Sequence, residues 1–439
     1  MNCLRIIKGS EFDAYQKSME TQTGSEAGEA EVNDLVNEII AAVKTGGDEA
    51  VRRCASRFEK EVPVKFEIPN EKARESWEKL KSSDRELAAA LTLAADHIRR
   101  FAELQKEQLR DFEAELGDGI FTGQRVIPVD RAAVYVPAGR FPLISSALMG
   151  LIPAAVAGVR EKILASPSGP GGMPDSRILA AAYLAGADRV FCLGGAQAIA
   201  ALALGTETIP RVDLIAGPGN KYVAAAKRLL FGKVGIDFVA GPTDVLIIAD
   251  AAARIAEIAA DMLAQAEHDP DARPRALVPD QATAELIEKE LEKQLARLPT
   301  AEIARASLKA GGLIIVYDSK EEAIRIANEI APEHLELHVS FPEQWVSGLR
   351  NYGSLFIGHL AAEVLGDYSS GLNHTLPTSA SARYTGGLSV RHFLKVVTSL
   401  RCTQGTAYTE ALAAAETIAR AEGLIGHAES AALRKPGRE

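Results

Sequence analysis

The sequence predicts an α/β protein built mainly on parallel sheets, and three observations lead there. From about residue 127 to 250, short apolar runs (AAVYVP, EKILASP, DRVFCLGG, VDLIAGPGN and DFVAGPTDVLIIAD) alternate with alanine-rich helical segments. Such alternation marks βαβ units whose strands are covered on both faces. A second alternation of the same kind follows, with RALVPD, GGLIIVYD and GSLFIG as its apolar runs. Glycine turns close several of the runs, at Pro137-Ala138-Gly139, Gly194-Gly195, Gly217-Pro218-Gly219-Asn220 and Gly241-Pro242-Thr243. In an open parallel sheet, ligands gather beyond the carboxyl ends of the strands.

The other elements follow in order. Residues 30–62 carry apolar positions at helical spacing, broken by Gly46-Gly47. A second helical stretch spans about 71–115, with Trp77, Leu80, Leu87, Leu91, Phe101 and Leu104 as packing residues. Neither stretch carries a chemical motif. Beyond the first α/β block come helical segments at 251–267, 281–297 and 319–329, a polar loop-like region at 366–388, and a helical tail at 404–422. A chain of 439 residues is too long for one ordinary core, so two or three packed units are expected.

Composition narrows the function. With 47% hydrophobic and 25% charged residues the chain is globular rather than disordered. A formal charge of -10 argues against a broad nucleic-acid or anionic-membrane surface. No apolar run reaches the ~20 residues a bilayer span needs, and the first residues become acidic too soon for a secretory signal. Cys3, Cys54, Cys192 and Cys402 form no CxxC pair, which points to a reducing compartment and away from cysteine-based metal chemistry. A cytoplasmic enzyme is expected, with neither nucleic-acid nor membrane partners.

The glycine turns lack a complete GxGxxG fingerprint and there is no Walker A sequence. Adjacent amides at a strand-to-helix turn can still hold a pyrophosphate. Tyr135, Gln197 and Asn220 stand at three such turns; each is either part of a cofactor cradle or a turn and capping residue.

Seven of the eight histidines lie in the second half. In DMLAQAEHDP, Gln265 and His268 are spaced i and i+3 and share a helix face. Asp269-Pro270 ends that helix, so His268 either answers the helix dipole or ligates a metal. Glu333 and His334 are adjacent after Pro332, a pair suited either to acid/base work or to a polar turn. Asp367 and His374 flank a glycine-containing loop. His338, His359 and His392 read as structural or surface groups.

These patches, taken in order, resemble the histidinol dehydrogenase family and its paralogues over about residues 30–430. The matching segments include YVPAG (135–139), GGAQAIAALALGTE (194–207), GPGN (217–220), GPTDVLIIAD (241–250), QAEH (265–268), APEHLEL (331–337), GDY (366–368), NHTLPT (373–378) and AEGLIGH (421–427). The resemblance implies a homodimer of two incomplete Rossmann-like domains with small N- and C-terminal helical accessory segments. It also implies a zinc- and NAD-dependent oxidation of a primary alcohol through an aldehyde to a carboxylate, with two NAD consumed, as in the step from L-histidinol to L-histidine. The implied grouping is an accessory segment at 1–29, one domain from 30–133 with 243–388 carrying the zinc site, another from 134–242, and a C-terminal segment at 389–439 reaching the partner. Zinc would be held by Gln265, His268, Asp367 and His427, the last from the other subunit. His334 would be the general base and Glu333 would activate water. Thr243, His374 and Glu422 fall at substrate positions, and Tyr135, Gln197 and Asn220 at cofactor positions.

Two departures bear on the substrate. Thr243-Asp244 stands where the family has Ser-Glu, adding a methyl and shortening an acid. Phe141-Pro142-Leu143-Ile144 replaces smaller groups, and that segment together with ARYTGG (382–387) resembles paralogues that oxidise 2,3-dihydroxypropane-1-sulfonate. A sulfonate would call for a basic group, with Arg140 and Arg383 the first candidates. A homologue that kept the zinc fold without catalysis is the remaining alternative.

Overall fold

A computed structural model describes residues 4–23, 26–59, 61–138, 142–239 and 241–435. The chain opens with strand β1 (Arg5–Lys8) and helices α1 (Phe12–Thr23) and α2 (Glu26–Phe58), then β2 (Glu67–Ile68), α3 (Asn70–Ser83) and α4 (Arg85–Glu107). A hairpin of β3 (Phe112–Gly117) and β4 (Ile120–Pro128) leads into the first α/β block. Its elements are β5 (Arg131–Tyr135), α5 (Ile144–Ala157), β6 (Glu161–Ser166), α6 (Ser176–Ala185), β7 (Arg189–Cys192), α7 (Gly195–Leu204), β8 (Leu214–Ala216), α8 (Lys221–Leu230) and β9 (Gly235–Ile236). The second block runs through β10 (Asp244–Ala249), α9 (Ile255–Ala266), β11 (Arg273–Val278), α10 (Gln281–Leu295), α11 (Ala301–Gly311) and β12 (Leu313–Val316). It continues with α12 (Lys320–Ile330), β13 (His334–His338), α13 (Glu343–Val346) and β14 (Ser354–Ile357). After α14 (Glu363–Tyr368) the chain ends in β15 (Leu394–Cys402), α15 (Thr406–Ala421) and α16 (Ile425–Ala432).

The strands form two six-stranded sheets, ordered β2-β7-β6-β5-β8-β9 and β1-β12-β11-β10-β13-β14, and an antiparallel sheet β15-β4-β3. Apart from the β2–β7 pairing, both large sheets are parallel. In each, the chain moves outward from a central strand, then returns to its other side, so the switch points lie between β5 and β8 and between β10 and β13. This is the expected α/β architecture of two incomplete Rossmann-like units.

Packing corrects the expected grouping of segments. Successive strand residues point to opposite faces: Ile163 and Ala165 pack with Val36 and Ile39 of α2, while Leu164 packs with Trp77, Leu80 and Leu91 of α3 and α4. The apolar stripes of residues 30–107 therefore cover the two faces of the first sheet, and α4 also touches the 243–388 segment, where His97 Nδ1 lies 2.7 Å from the Ser369 carbonyl. Residues 4–15 are not an appendage. β1 pairs in parallel with β12, and Phe12 and Tyr15 pack with Ile315 and Ile326. The helical stretch expected over 71–115 is two helices, because the Asp84 side chain accepts from Leu87 N and caps α4; residues 112–117 are strand. The break at Gly46-Gly47 is a kink within α2, where Gly47 takes φ +48 and a Cβ would collide with Glu207. Among the described residues no helix is long and apolar enough to cross a membrane.

Candidate active site

The first sheet presents a cavity of about 1030 Å³ at the carboxyl ends of its strands, lined by Tyr135, Gln197 and Asn220 together with Glu59, Ser168 and Met173. Tyr135 ends β5 and is buried, and its hydroxyl accepts from Gly195 N at 3.1 Å. Burial, reinforced by the charge of Glu59, pushes its phenol up to about 12. The Gln197 amide donates to Glu59 Oε1 at 3.2 Å. The Asn220 oxygen accepts from Tyr222 N and Val223 N, both at 3.1 Å, so its side chain caps α8 at the cavity rim. Glu59 had no sequence signal, since it merely follows a helical stripe. Its carboxylate also accepts from Gly194 N (3.2 Å) and from Ser168 N and Oγ (both 3.1 Å), joining two strand-end loops.

A second constellation gathers at the opposite polarity, around the amino ends of β10 and β13 in the second sheet. Thr243 precedes β10, and Glu333 precedes His334, the first residue of β13. The Gly241-Pro242-Thr243 turn therefore opens a strand, where the sequence pattern placed it at a strand's carboxyl end. The Thr243 hydroxyl donates to Glu333 and also contacts the Gln265 amide. The Gln265 amide is best satisfied with its nitrogen donating to Glu363 Oε1 at 2.5 Å and Oε2 at 3.1 Å, its oxygen facing Thr243. Burial pushes the Glu333 carboxyl up to about 7, although the His334 charge pulls it down.

His334 is the centre of this group. It is buried, its Nε2 stands 3.5 Å from Asp367 Oδ1, and its Nδ1 stands 3.7 Å from Glu363 Oε1 and 3.9 Å from Glu333 Oε2. Neither ring nitrogen has a hydrogen-bond partner among the described residues. Burial disfavours its imidazolium, but the carboxylates of Glu363, Glu333 and Asp367 outweigh this and hold it well above the usual histidine range. Glu363 is itself pushed up by burial, against the pull of His334. His268, Glu363 and Asp367 each offer a ligand atom within 4.8 Å of the others, a donor set that fits a divalent cation. Glu363 escaped the sequence reading, though its i, i+4 spacing from Asp367 in EVLGD was the available signal.

His374 bridges the two sheets, its Nε2 lying 3.1 Å from Ser145 Oγ and 3.4 Å from Ser146 Oγ at the start of α5. Burial pushes its imidazolium down. The carboxyl end of one sheet thus faces the amino end of the other.

Glu422 and His427 lie elsewhere. Both are exposed on the C-terminal arm, and among the described residues His427 does not join the His268 group within this chain. Arg383 is exposed and donates to the carbonyl of Glu329. Gly139, Arg140 and Phe141 lie outside the described residues. Asp244 Oδ2 stands 3.8 Å from Arg275, an ion pair that its short side chain still reaches.

The chain matches the protein family described as histidinol dehydrogenase over residues 22–435. It is 49% identical over 404 residues to the histidinol dehydrogenase of Thermus thermophilus, covering 92% of this chain and 95% of that one. Identity to the Methylococcus capsulatus protein of the same name is 44% over 413 residues, or 93% of each chain. A crystal structure of histidinol dehydrogenase from Elizabethkingia anophelis superposes with a TM-score of 0.86 at 34% identity, over 91% of both chains. With this architecture, and with matches running through both clefts, the chain belongs to the histidinol dehydrogenase family of NAD-dependent oxidoreductases.

Proposed function

We propose that this chain oxidises L-histidinol to L-histidine through the aldehyde, with zinc bound and two NAD reduced per turnover. The observation that carries the reading is the meeting of His268, Glu363 and Asp367 ligand atoms within 4.8 Å beside a buried His334 with both ring nitrogens unpartnered. Gln265, His268 and Asp367 would hold the ion together with His427 of the partner subunit. Zinc, when bound, supplies positive charge that polarises and orients the substrate hydroxyl and balances Asp367 and Glu363. With the ion balancing those carboxylates, His334 would accept the alcohol proton at a ring nitrogen, and a dinucleotide in the first cavity would serve as the hydride acceptor. Glu333, close to neutral pH in its titration, takes a proton from the water that attacks the aldehyde carbon. Oxidation of the hydrated aldehyde would need a second dinucleotide as hydride acceptor. Tyr135, Gln197 and Asn220 line the cavity that would hold the dinucleotide, and Thr243, His374 and Glu422 would contact the substrate.

A homodimer suits the C-terminal arm. β15 pairs with β4 along its length, and Val396, Leu400, Ile418, Ile425 and Leu433 are all more than half exposed. Such apolar surface calls for a partner, and residues 389–439 would then carry Glu422 and His427 across the dimer.

The test is NADH formation by zinc-loaded protein with L-histidinol and with racemic 2,3-dihydroxypropane-1-sulfonate side by side. Two NADH per histidinol is the expected result. Turnover on the sulfonate alone would overturn the substrate, and silence on both would overturn the activity.

A further inference from the structure

A second constellation of ligating groups lies at the far end of the same strand. His338 ends β13, His359 follows β14, and Glu257 sits in the first turn of α9. Each offers a ligand atom within 4.8 Å of the other two. Each also has one buried atom without a hydrogen-bond partner among the described residues: Glu257 Oε2, His338 Nδ1 and His359 Nδ1. Three orphaned polar atoms in one place are costly unless something binds them. The other oxygen of Glu257 takes Arg254 Nη1 at 3.0 Å.

Two features point to a cation. His338 is 1% exposed, and its Nε2 lies 3.2 Å from Glu336 Oε2 and 3.7 Å from Asp261 Oδ2. A carboxylate on one ring nitrogen fixes the tautomer, leaves the other as a free lone pair, and is the usual support behind a metal-bound histidine. The position matters as well. The cluster lies at the carboxyl end of β13, beside the switch point between β10 and β13, where open α/β sheets bind ligands. It stands in the second sheet where Tyr135 and the Asn220 turn stand in the first.

We propose that Glu257, His338 and His359 form a second divalent-metal site of the zinc class, separate from the His268 group and with Glu336 and Asp261 as its outer carboxylates. Two imidazoles and a carboxylate match zinc in ligand type. The bound ion pins the start of α9 to the ends of β13 and β14. Glu336 links the two clusters, since its other oxygen accepts from Glu363 N at 2.8 Å.

Full-length wild type, His359→Gln, Glu257→Gln and His268→Ala are each equilibrated with zinc, desalted and subjected to elemental analysis, with circular dichroism to verify folding. His359 and Glu257 are partly exposed, so at least one substitution should leave the fold intact. Each folded variant at this site should hold one zinc fewer per chain than wild type, and His268→Ala should still retain the zinc that they lose. Zinc should also raise the melting temperature of wild type more than that of His359→Gln. Wild-type zinc content in folded His359→Gln or Glu257→Gln would overturn the proposal. So would a His268→Ala protein that binds none.

Discussion

Asp244 and Glu333 exchange a reciprocal pair of hydrogen bonds: Asp244 N donates to Glu333 Oε2 and Glu333 N donates to Asp244 Oδ1, both at 3.1 Å. The pair ties the starts of two neighbouring parallel strands and fixes a carboxyl group that burial pushes from 4.5 to about 7. Between those pH values the folded protein keeps a proton that the unfolded chain has released, so this group's contribution to stability falls as pH rises through the window. Glu333→Gln removes the titration. Its melting temperature should exceed that of wild type by several degrees at pH 8, with the gap closing toward pH 4.5. A gap independent of pH would refute the assignment.

The two half-reactions should separate the roles of the adjacent pair. Glu333→Gln should slow aldehyde oxidation by about 10²–10⁴-fold while sparing the alcohol step more. His334→Asn should damage both. Supplying the aldehyde directly and following NADH resolves the two; equal losses in Glu333→Gln would remove it from water activation.

If the arm crosses between subunits, inactive His427→Ala and His334→Asn proteins should complement each other. In a mixed dimer both defects fall into one site and the other is whole. Verified heterodimers should regain a substantial part of wild-type activity, and none at all would mean a site built within one chain.

Glu59 should govern cofactor binding. Its carboxylate receives four hydrogen bonds from Ser168, Gly194 and Gln197 at the cavity, and bonds to a charged acceptor are worth ~1.5–3 kcal/mol each. Glu59→Gln keeps the shape but cannot accept at both ends. We expect KM for NAD to rise roughly tenfold, equal to the loss of about 1.4 kcal/mol, with kcat at saturating NAD nearly unchanged. An unaltered KM would show that the loops hold without it.

Hydrophobic periodicity made the strands and their covering helices legible, and the ordered motifs made Thr243, Gln265, His268, Glu333, His334 and Asp367 legible as a group. What escaped depends on tertiary geometry. Nothing local distinguishes Glu59 from a surface glutamate, because it gains its meaning from loops more than a hundred residues away; Glu363 has only its spacing from Asp367, and its backbone is held by Glu336 of a neighbouring strand. His338 and His359 read as structural or surface groups, and only sheet order brings them to Glu257. The Gly241-Pro242-Thr243 turn, expected at the carboxyl end of a strand, instead precedes β10, because the apolar run it interrupts is not one strand.

The pairing of β1 with β12 makes everything between residues 9 and 243 an insertion within the second sheet. During synthesis the inserted half can complete its own core, while the leading strand waits without its neighbour until residue 316 has emerged. Long-range pairing of this kind is slow, and in the interval both the strand and its future docking edge are open to wrong partners. Deleting the first eleven residues should accordingly harm the yield of folded protein more than its chemistry, by leaving the β12 edge unguarded.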